Sequence, residues 1–489
     1  MLDHHLISLL RTFNRKEMTR FWEFSHSPYH HKHVETQQLI TYLNKCYPEF
    51  TDSNCGRASL WARLFPGQDF DNAKLAVLFT YAWRLAEQFL VQEQLAGSQL
   101  QESWLLEALR QHRQWQAYER QWRKSKREQE KIKTRDTQYY HTAIAFAEEA
   151  NQYFLLRENR EQDNSLVEKE HVLDQYYVLE KLRDALELQV RRQILQGDYS
   201  ARLLEGVLEE LRQNAAAYAG APAIQVYFHL YQMMEQATLV AYRRALAVFQ
   251  ENEDRFQFPE VAAIYNYLQN FCIACINRNQ TVFLREIFRL YNEQLARQLL
   301  HEDGYLIEWH YKNIVTTALR LGEQNWANDF IETQRAALSP VAAENAYRFN
   351  KAAYCHAVGD YGQVLELLTQ VEYSDLRYNL GAKALLLRTY YELNEFDALH
   401  ALVESFRQYL QRNRLMADSR RNGYYHLFRL TRRVAGLRAQ AGYIPQERAV
   451  LSLEKIKQDV EQTDAIFNRA WLEQKIAEIA LEISRSPGR

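Results

Sequence analysis

Apolar side chains recur along this chain at spacings of three and four residues, the period that gathers them on one face of a helix. Leu6, Leu9, Leu10, Phe13, Phe21 and Phe24 predict an opening helix from Leu6 to about Phe24. Ser27-Pro28 ends it, since proline has no amide to donate and pushes its predecessor out of helical backbone. Helices follow over about Val34 to Tyr47 and Ala58 to Phe65, then from Asp69 or Asp71 through Phe89, with prolines 48 and 66 as breaks. A charged helix is expected near His112 to Asp136 and an amphipathic one over Tyr139 to about Leu156. After the polar spacer Glu158 to Asn164, Ser165 and Glu168 make a capping box, in which hydroxyl and carboxylate each satisfy a free amide at a helix start. That helix reaches Leu195 and stops at Gly197-Asp198; hairpin partners follow over Tyr199 to Leu211, Ala223 to Met234 and Thr238 to Phe249. The polar stretch Glu251 to Pro259 reads as a hinge. Beyond it come helices over Val261 to Arg278, Thr281 to about Leu300, and Tyr305 to Leu321; the last apolar stretches are Tyr424 to Gln440 and Ile444 to Ile483.

Between Leu321 and about Leu410 the pattern becomes a repeat. Gly322-Glu323-Gln324-Asn325-Trp326, Gly359-Asp360-Tyr361 and Asn394-Glu395-Phe396 each place an aromatic after a short polar turn, and the aromatics are 35 residues apart. A period in the mid-thirties marks stacked helical hairpins. Such a unit cannot bury its apolar face alone and must stack on a neighbour. The organisation expected is a helical block over 1–100, irregular hairpins over 101–255 and helical repeats over 256–489.

Composition narrows the class. The 489 residues have room for about three domains of roughly 150 residues or for one extended array. With 15 Gly and 8 Pro the chain falls well below average usage of roughly 7% and 5%, so helices joined by short loops fit best. Lys and Arg number 60 against 62 Asp and Glu; no global field draws nucleic acid or anionic lipid, and such binding needs a local patch. No apolar run approaches the roughly 18 residues that span a bilayer. Met1-Leu2-Asp3-His4-His5 lacks the basic start of a secretory signal, and five scattered cysteines make no disulfide framework. The expectation is a soluble, cytoplasmic protein.

Two resemblances add to this. The segment from Lys351 through Ala352, Gly359 and Asp360 to Tyr361 resembles the first helix and turn of a tetratricopeptide (TPR) repeat, with Ala352 at a small-residue position. Leu386 and Tyr390 match its large apolar and aromatic positions one unit on, while Leu387, Val364 and Leu399 stand where it keeps small residues. The resemblance implies a right-handed α-solenoid whose first helices line a concave groove for a partner's peptide. By position that face exposes Phe349, Ala353, His356 and Ala357 in one unit and Ala384, Arg388 and Tyr391 in the next. Arg388 would pair a partner carboxylate in bidentate fashion; alternatively a helix of the same chain fills the face and Arg388 pairs within the fold. Leu60 to Gly67 and the helix after it resemble the helix–turn–helix of bacterial activators that join a winged helix to a TPR-like domain. Here more helix follows where those families have a β-wing, and the reading helix offers only Lys74 and Arg84 as cations. Ser27-Pro28-Tyr29, Tyr47-Pro48-Glu49-Phe50 and Leu64-Phe65-Pro66-Gly67 together resemble the N-terminal block of uncharacterised bacterial helical-repeat proteins, a likeness that carries no activity.

Candidate chemistry is sparse. Arg113, Arg120, Arg123, Lys124 and Arg127 lie in a basic stretch interleaved with Trp115, Tyr118 and Trp122. Either the rings are stacking platforms for single-stranded nucleic acid, or they form one stripe against a neighbouring helix and the charges are a solvated face. Cys272 and Cys275 sit on an apolar helix as half a zinc site at most and read as core. His26, His30, His31 and His33 read as a surface loop, and His301-Glu302-Asp303 as an inter-helix turn. The chain carries no Gly-rich phosphate loop, nucleophile elbow or kinase signature. Its 31 tyrosines suit broad helix–helix and protein interfaces. The expected protein is an all-α scaffold or adaptor, non-enzymatic, with no cofactor or metal, that binds a partner protein. The alternative is a regulatory nucleic-acid-binding protein using the N-terminal block or the basic helix 113–135.

Overall fold

The helical periodicity folds as helix, and capping chemistry sets the finer breaks. The computed structural model describes residues 4–157, 164–194, 199–278, 280–371, 376–412, 418–463 and 465–485. Among them 24 α-helices carry nearly all regular structure, so the fold is all-α. The one strand pair there is His301–Glu302 against Tyr305–Leu306. Asp303 and Gly304 between them both have positive φ, the backbone of a two-residue hairpin turn. The Gly197-Asp198 break and nearly all of the spacer after Arg157 lie outside the described residues. By its internal contacts the chain divides into two compact units, 1–236 with 240–261 and 237–239 with 262–489.

In unit one the opening stretch is two helices, His5–Thr12 and Arg15–His26, where periodicity alone predicts one. Asn14 makes the break. Its side chain accepts from the Glu17 amide at 2.9 Å while the Glu17 carboxylate accepts from the Asn14 amide at 2.6 Å, a reciprocal cap on the second helix. Asn72–Gly97, capped by Asp71, packs against both of these and against Val34–Cys46 and Arg57–Leu64. It buries Leu75, Leu78, Phe79, Leu85 and Phe89 in their common core.

Farther along unit one, Gln101–Gln111 packs against both Trp115–Lys131 and Thr137–Arg157. Arg110 donates two hydrogen bonds to Glu149, at 2.7 and 3.0 Å. Ser165–Ile194 lies along Thr137–Arg157 and Pro222–Gln236. Within the polar stretch expected as a hinge, Glu253–Arg255 forms a 3-10 turn and the next helix already starts at Phe258. Pro259 fits its first turn, where an amide would be unpaired anyway. The Arg255 carbonyl accepts from the Arg135 amide at 2.7 Å, and Glu260 accepts from Thr137 Oγ1 at 2.9 Å and Tyr227 OH at 3.0 Å.

Unit two is built in two layers. Glu308–Leu321, Ala343–Val358, Leu376–Glu392, Asp418–Gln440 and Arg469–Arg485 pack in series, each on the next. Gln324–Gln334, Tyr361–Thr369, Phe396–Arg412 and Gln446–Glu461 alternate with them, each packing on the helix before and the helix after. Gly322, Gly359 and Asn394, at the turns of the 35-residue period, all have positive φ. After them the amides of Glu323, Asp360 and Glu395 reach back to the carbonyls of Ala318, Cys355 and Tyr390 at 3.0, 2.9 and 2.9 Å. This left-handed cap satisfies the last carbonyls of one helix as the chain reverses into the next. The aromatic that follows then packs inward: Trp326 lies 4.8 Å from Phe288 and 5.1 Å from Phe330.

Phe406, buried on Phe396–Arg412, stacks on Phe428 with ring centres 3.8 Å apart. Phe406→Ala removes the shared surface between two successive hairpins. Chemical denaturation should show unit two losing about 3–5 kcal/mol; a loss below about 1 kcal/mol would contradict this packing.

Candidate functional site

Three helices of unit two converge on one polar nest. Leu376–Glu392 brings Arg388 and Glu392, one turn apart and so on one face. Ala343–Val358 brings His356 from its last turn, and Arg469–Arg485 brings Trp471 and Lys475. Glu392 Oε1 accepts from Trp471 Nε1 and from Lys475 Nζ, each at 3.0 Å, and Lys475 also donates to Glu478 at 2.9 Å. The Tyr391 ring meets Trp471 edge-on at 5.5 Å, with the Arg438 guanidinium 5.3 Å from its centre. Leu376–Glu392 and Arg469–Arg485 stand two apart in the series, and these side chains join them directly.

The three basic groups respond to enclosure differently. Burial, aided by the charges of Arg388 and Lys475, pushes the His356 pKa down to about 3, so the ring is neutral at pH 7. Its Nε2 has no hydrogen-bond partner. Burial also opposes the charge of Lys475, but hydrogen bonds to Glu478 and Glu392 outweigh it and hold that pKa above the ordinary lysine value. Burial lowers the Arg388 pKa to about 10, against the pull of Glu392 and Tyr424; the group stays charged. Its neighbour Glu392 is already engaged by Lys475 and Trp471, and Arg388 Nε has no hydrogen-bond partner. The nest thus holds a cation with no carboxylate of its own among the described residues. Chemically, that suits it to receive an anionic oxygen group.

The expected groove residues divide into two sets. Phe349, Ala384 and Tyr391 are 6%, 3% and 1% exposed, not open on the face where the TPR resemblance places them. Phe349 is wedged between first-layer helices: a Cβ at Gly381 would lie 3.0 Å from its ring, and Lys312 Nζ lies 5.3 Å from its centre. Tyr391 is covered by Trp471 of the last helix. Ala353, His356 and Arg388 are half-buried and Ala357 is exposed. Trp471, Lys475 and Glu392 were not legible as partners of this site, because Glu392 lies 79 residues before Trp471.

Outside the nest, the basic stretch folds as Trp115–Lys131 with its rings turned inward. Tyr118 stacks on Tyr153 at 4.0 Å, and Trp122 and Trp115 approach Phe146 and Tyr153 at 6.3 and 5.9 Å. The rings pack as a stripe against a neighbouring helix, with Tyr118 buried and Trp115 and Trp122 half-buried. Arg113, Arg120, Arg123, Lys124 and Arg127 are all exposed. On Asn72–Gly97, Lys74 pairs with Glu35 at 2.7 Å, while Arg84 is exposed. Cys272 and Cys275 are buried, and among the described residues no three His, Cys, Asp or Glu side chains gather as a metal set. Two histidines near Pro28 have structural partners: His26 Nδ1 donates to the Trp22 carbonyl at 2.8 Å, and His33 caps Val34–Cys46 by accepting from the Thr36 amide at 3.3 Å. A ring stack at 4.1 Å joins His30 to Phe24. No described helix is long and apolar enough to cross a membrane.

The neutral state of His356 makes a pH prediction with a definite sign. Its folded pKa of about 3 lies below the ordinary 6.5, so the unfolded chain binds the extra proton and stability falls as pH drops from 6.5 toward 3. His356→Gln lacks this contribution. The unfolding free energy of the wild type minus that of the variant should therefore fall with decreasing pH, by up to about 1.4 kcal/mol per unit. A difference constant from pH 7 to pH 4 would show that the ring is not held neutral.

No protein-family model, curated protein or solved structure matches the chain.

Proposed function

We propose that the chain is a non-enzymatic scaffold or adaptor, a TPR-like, right-handed α-solenoid that receives a segment of a partner protein in the cytoplasm. The observation that carries this reading is Arg388, a charged guanidinium without an ion-paired carboxylate among the described residues, on the face where the TPR resemblance also puts the small side chains of Ala353 and Ala357. Packing of alternate helices in series supports the solenoid. An acidic side chain or chain end of the partner would fill the open position on Arg388, and the alanines leave room for its backbone. A charge-assisted hydrogen bond of this kind contributes about 1.5–3 kcal/mol, which is about a ten- to hundredfold change in affinity.

Affinity capture from the native cell, read by mass spectrometry, tests it. A protein enriched by the wild type should fall about tenfold or more in recovery with Arg388→Gln or Ala353→Glu, while the thermal unfolding of both variants stays within a few degrees of wild type. Equal recovery by well-folded variants would remove the face from the function.

A further inference from the structure

The helix Trp115–Lys131 in unit one divides its chemistry cleanly between two faces. Arg123, Lys124 and Arg127 lie three, four and seven residues after Arg120, the spacing that aligns side chains along one side of a helix. All four are exposed, as is Arg113 in the turn before the helix. Arg123 Nε donates to the Glu119 carbonyl of its own helix at 3.2 Å. The carboxylates nearby are engaged elsewhere: Glu119 accepts from Tyr153 at 2.8 Å and pairs with Arg157, and Glu128 pairs with Lys131. Glu130 lies beyond Arg127 and forms no ion pair with any of the four among the described residues. In a chain whose charges nearly balance, this leaves a local ribbon of cations facing solvent.

The opposite face decides what the ribbon fits. Tyr118 is buried, and Trp115 and Trp122 pack on Thr137–Arg157, so no apolar side is free to enter a membrane surface as an interfacial helix requires. Stacking of single-stranded bases needs exposed rings, and here Tyr118 is buried while Trp115 and Trp122 are half-buried against Thr137–Arg157. A protein interface needs a desolvated apolar centre with the charges at its rim; between Arg120 and Arg127 stand Gln121, Trp122, Ser125 and Lys126, with Ser125 buried and Trp122 half-buried against Phe146, so no exposed apolar residue lies among the cations. What remains is a partner recognised by charge density alone. A duplex carries a phosphate charge about every 1.7 Å of its axis, so the roughly 10 Å from Arg120 to Arg127 spans about six of them. We propose that the Arg120–Arg127 ribbon binds the phosphate backbone of a nucleic-acid duplex without reading its sequence. Contacts of this kind position a protein and carry no base information.

Fluorescence anisotropy with the full chain and labelled 20-base-pair duplexes of DNA and of RNA tests this from 50 to 200 mM KCl. Four phosphate contacts give a slope of log affinity against log salt of roughly −3 to −4, about a hundredfold loss over that range. Two unrelated duplex sequences should bind alike. Arg123→Gln with Arg127→Gln should bring the slope to roughly −2, whereas Lys16→Gln with Lys32→Gln, the same charge change at exposed positions elsewhere in unit one, should leave it unchanged. The DNA and RNA arms show which duplex binds more tightly, and either result upholds the ribbon. The proposal is overturned by a wild-type slope near zero, by a slope unaffected in the double variant, by single strands binding more tightly than both duplexes, or by polyglutamate competing as well as duplex at equal charge.

Discussion

A helical hairpin with one apolar face is not stable alone, and the arrangement of unit two follows from how each such face is covered. The reversal between paired helices rests on a few backbone positions. Gly322, Gly359 and Asn394 take a conformation that side chains with a branched Cβ resist, and the amide just past each closes a long hydrogen bond to the preceding helix. With the reversal set, one helix of each hairpin can pack on the first helix of the next. The aromatic just past the turn fills the space between neighbours, as Trp326 does between Phe288 and Phe330.

Packing the ends of these helices together carries polar groups out of water, and magnitudes decide what each one does. Leaving a buried charge unpaired costs several kcal/mol. His356 avoids that cost by remaining neutral, Lys475 by pairing with Glu392 and Glu478, and Glu392 by accepting from two donors. Arg388 keeps its charge even with a lowered pKa. Among the described residues it has no ion-paired carboxylate, although Glu392 and Tyr424 pull its pKa upward.

How much of this is legible in the sequence depends on the range of the interaction. The helices and the three repeated turns are local, set by spacing and by Gly, Asn and capping residues, and the sequence shows them directly. The Asn14–Glu17 cap was equally local and could have split the opening helix, but the run from Leu6 to Phe24 hid it. Burial of Phe349, Ala384 and Tyr391 depends on how tightly successive helices close, which no single repeat encodes. The contact between Glu392 and Lys475 joins residues far apart in the chain and has no motif at all. For Trp115, Tyr118 and Trp122 both a packed stripe and an open platform had the same spacing; only the position of Thr137–Arg157 separates them.

The central claim is that the Arg388 face is open to another protein, and a short-range photo-crosslinker placed at Ala357 tests it most directly. Ala357 is exposed next to the nest, so the label probes the face without disturbing its core. In the native cell the account predicts one dominant adduct with a second protein, absent when the same label replaces Lys457, a half-buried residue paired with Glu454 on Gln446–Glu461. Crosslinks from position 357 that stay wholly within the chain, or that match those from position 457, would contradict it.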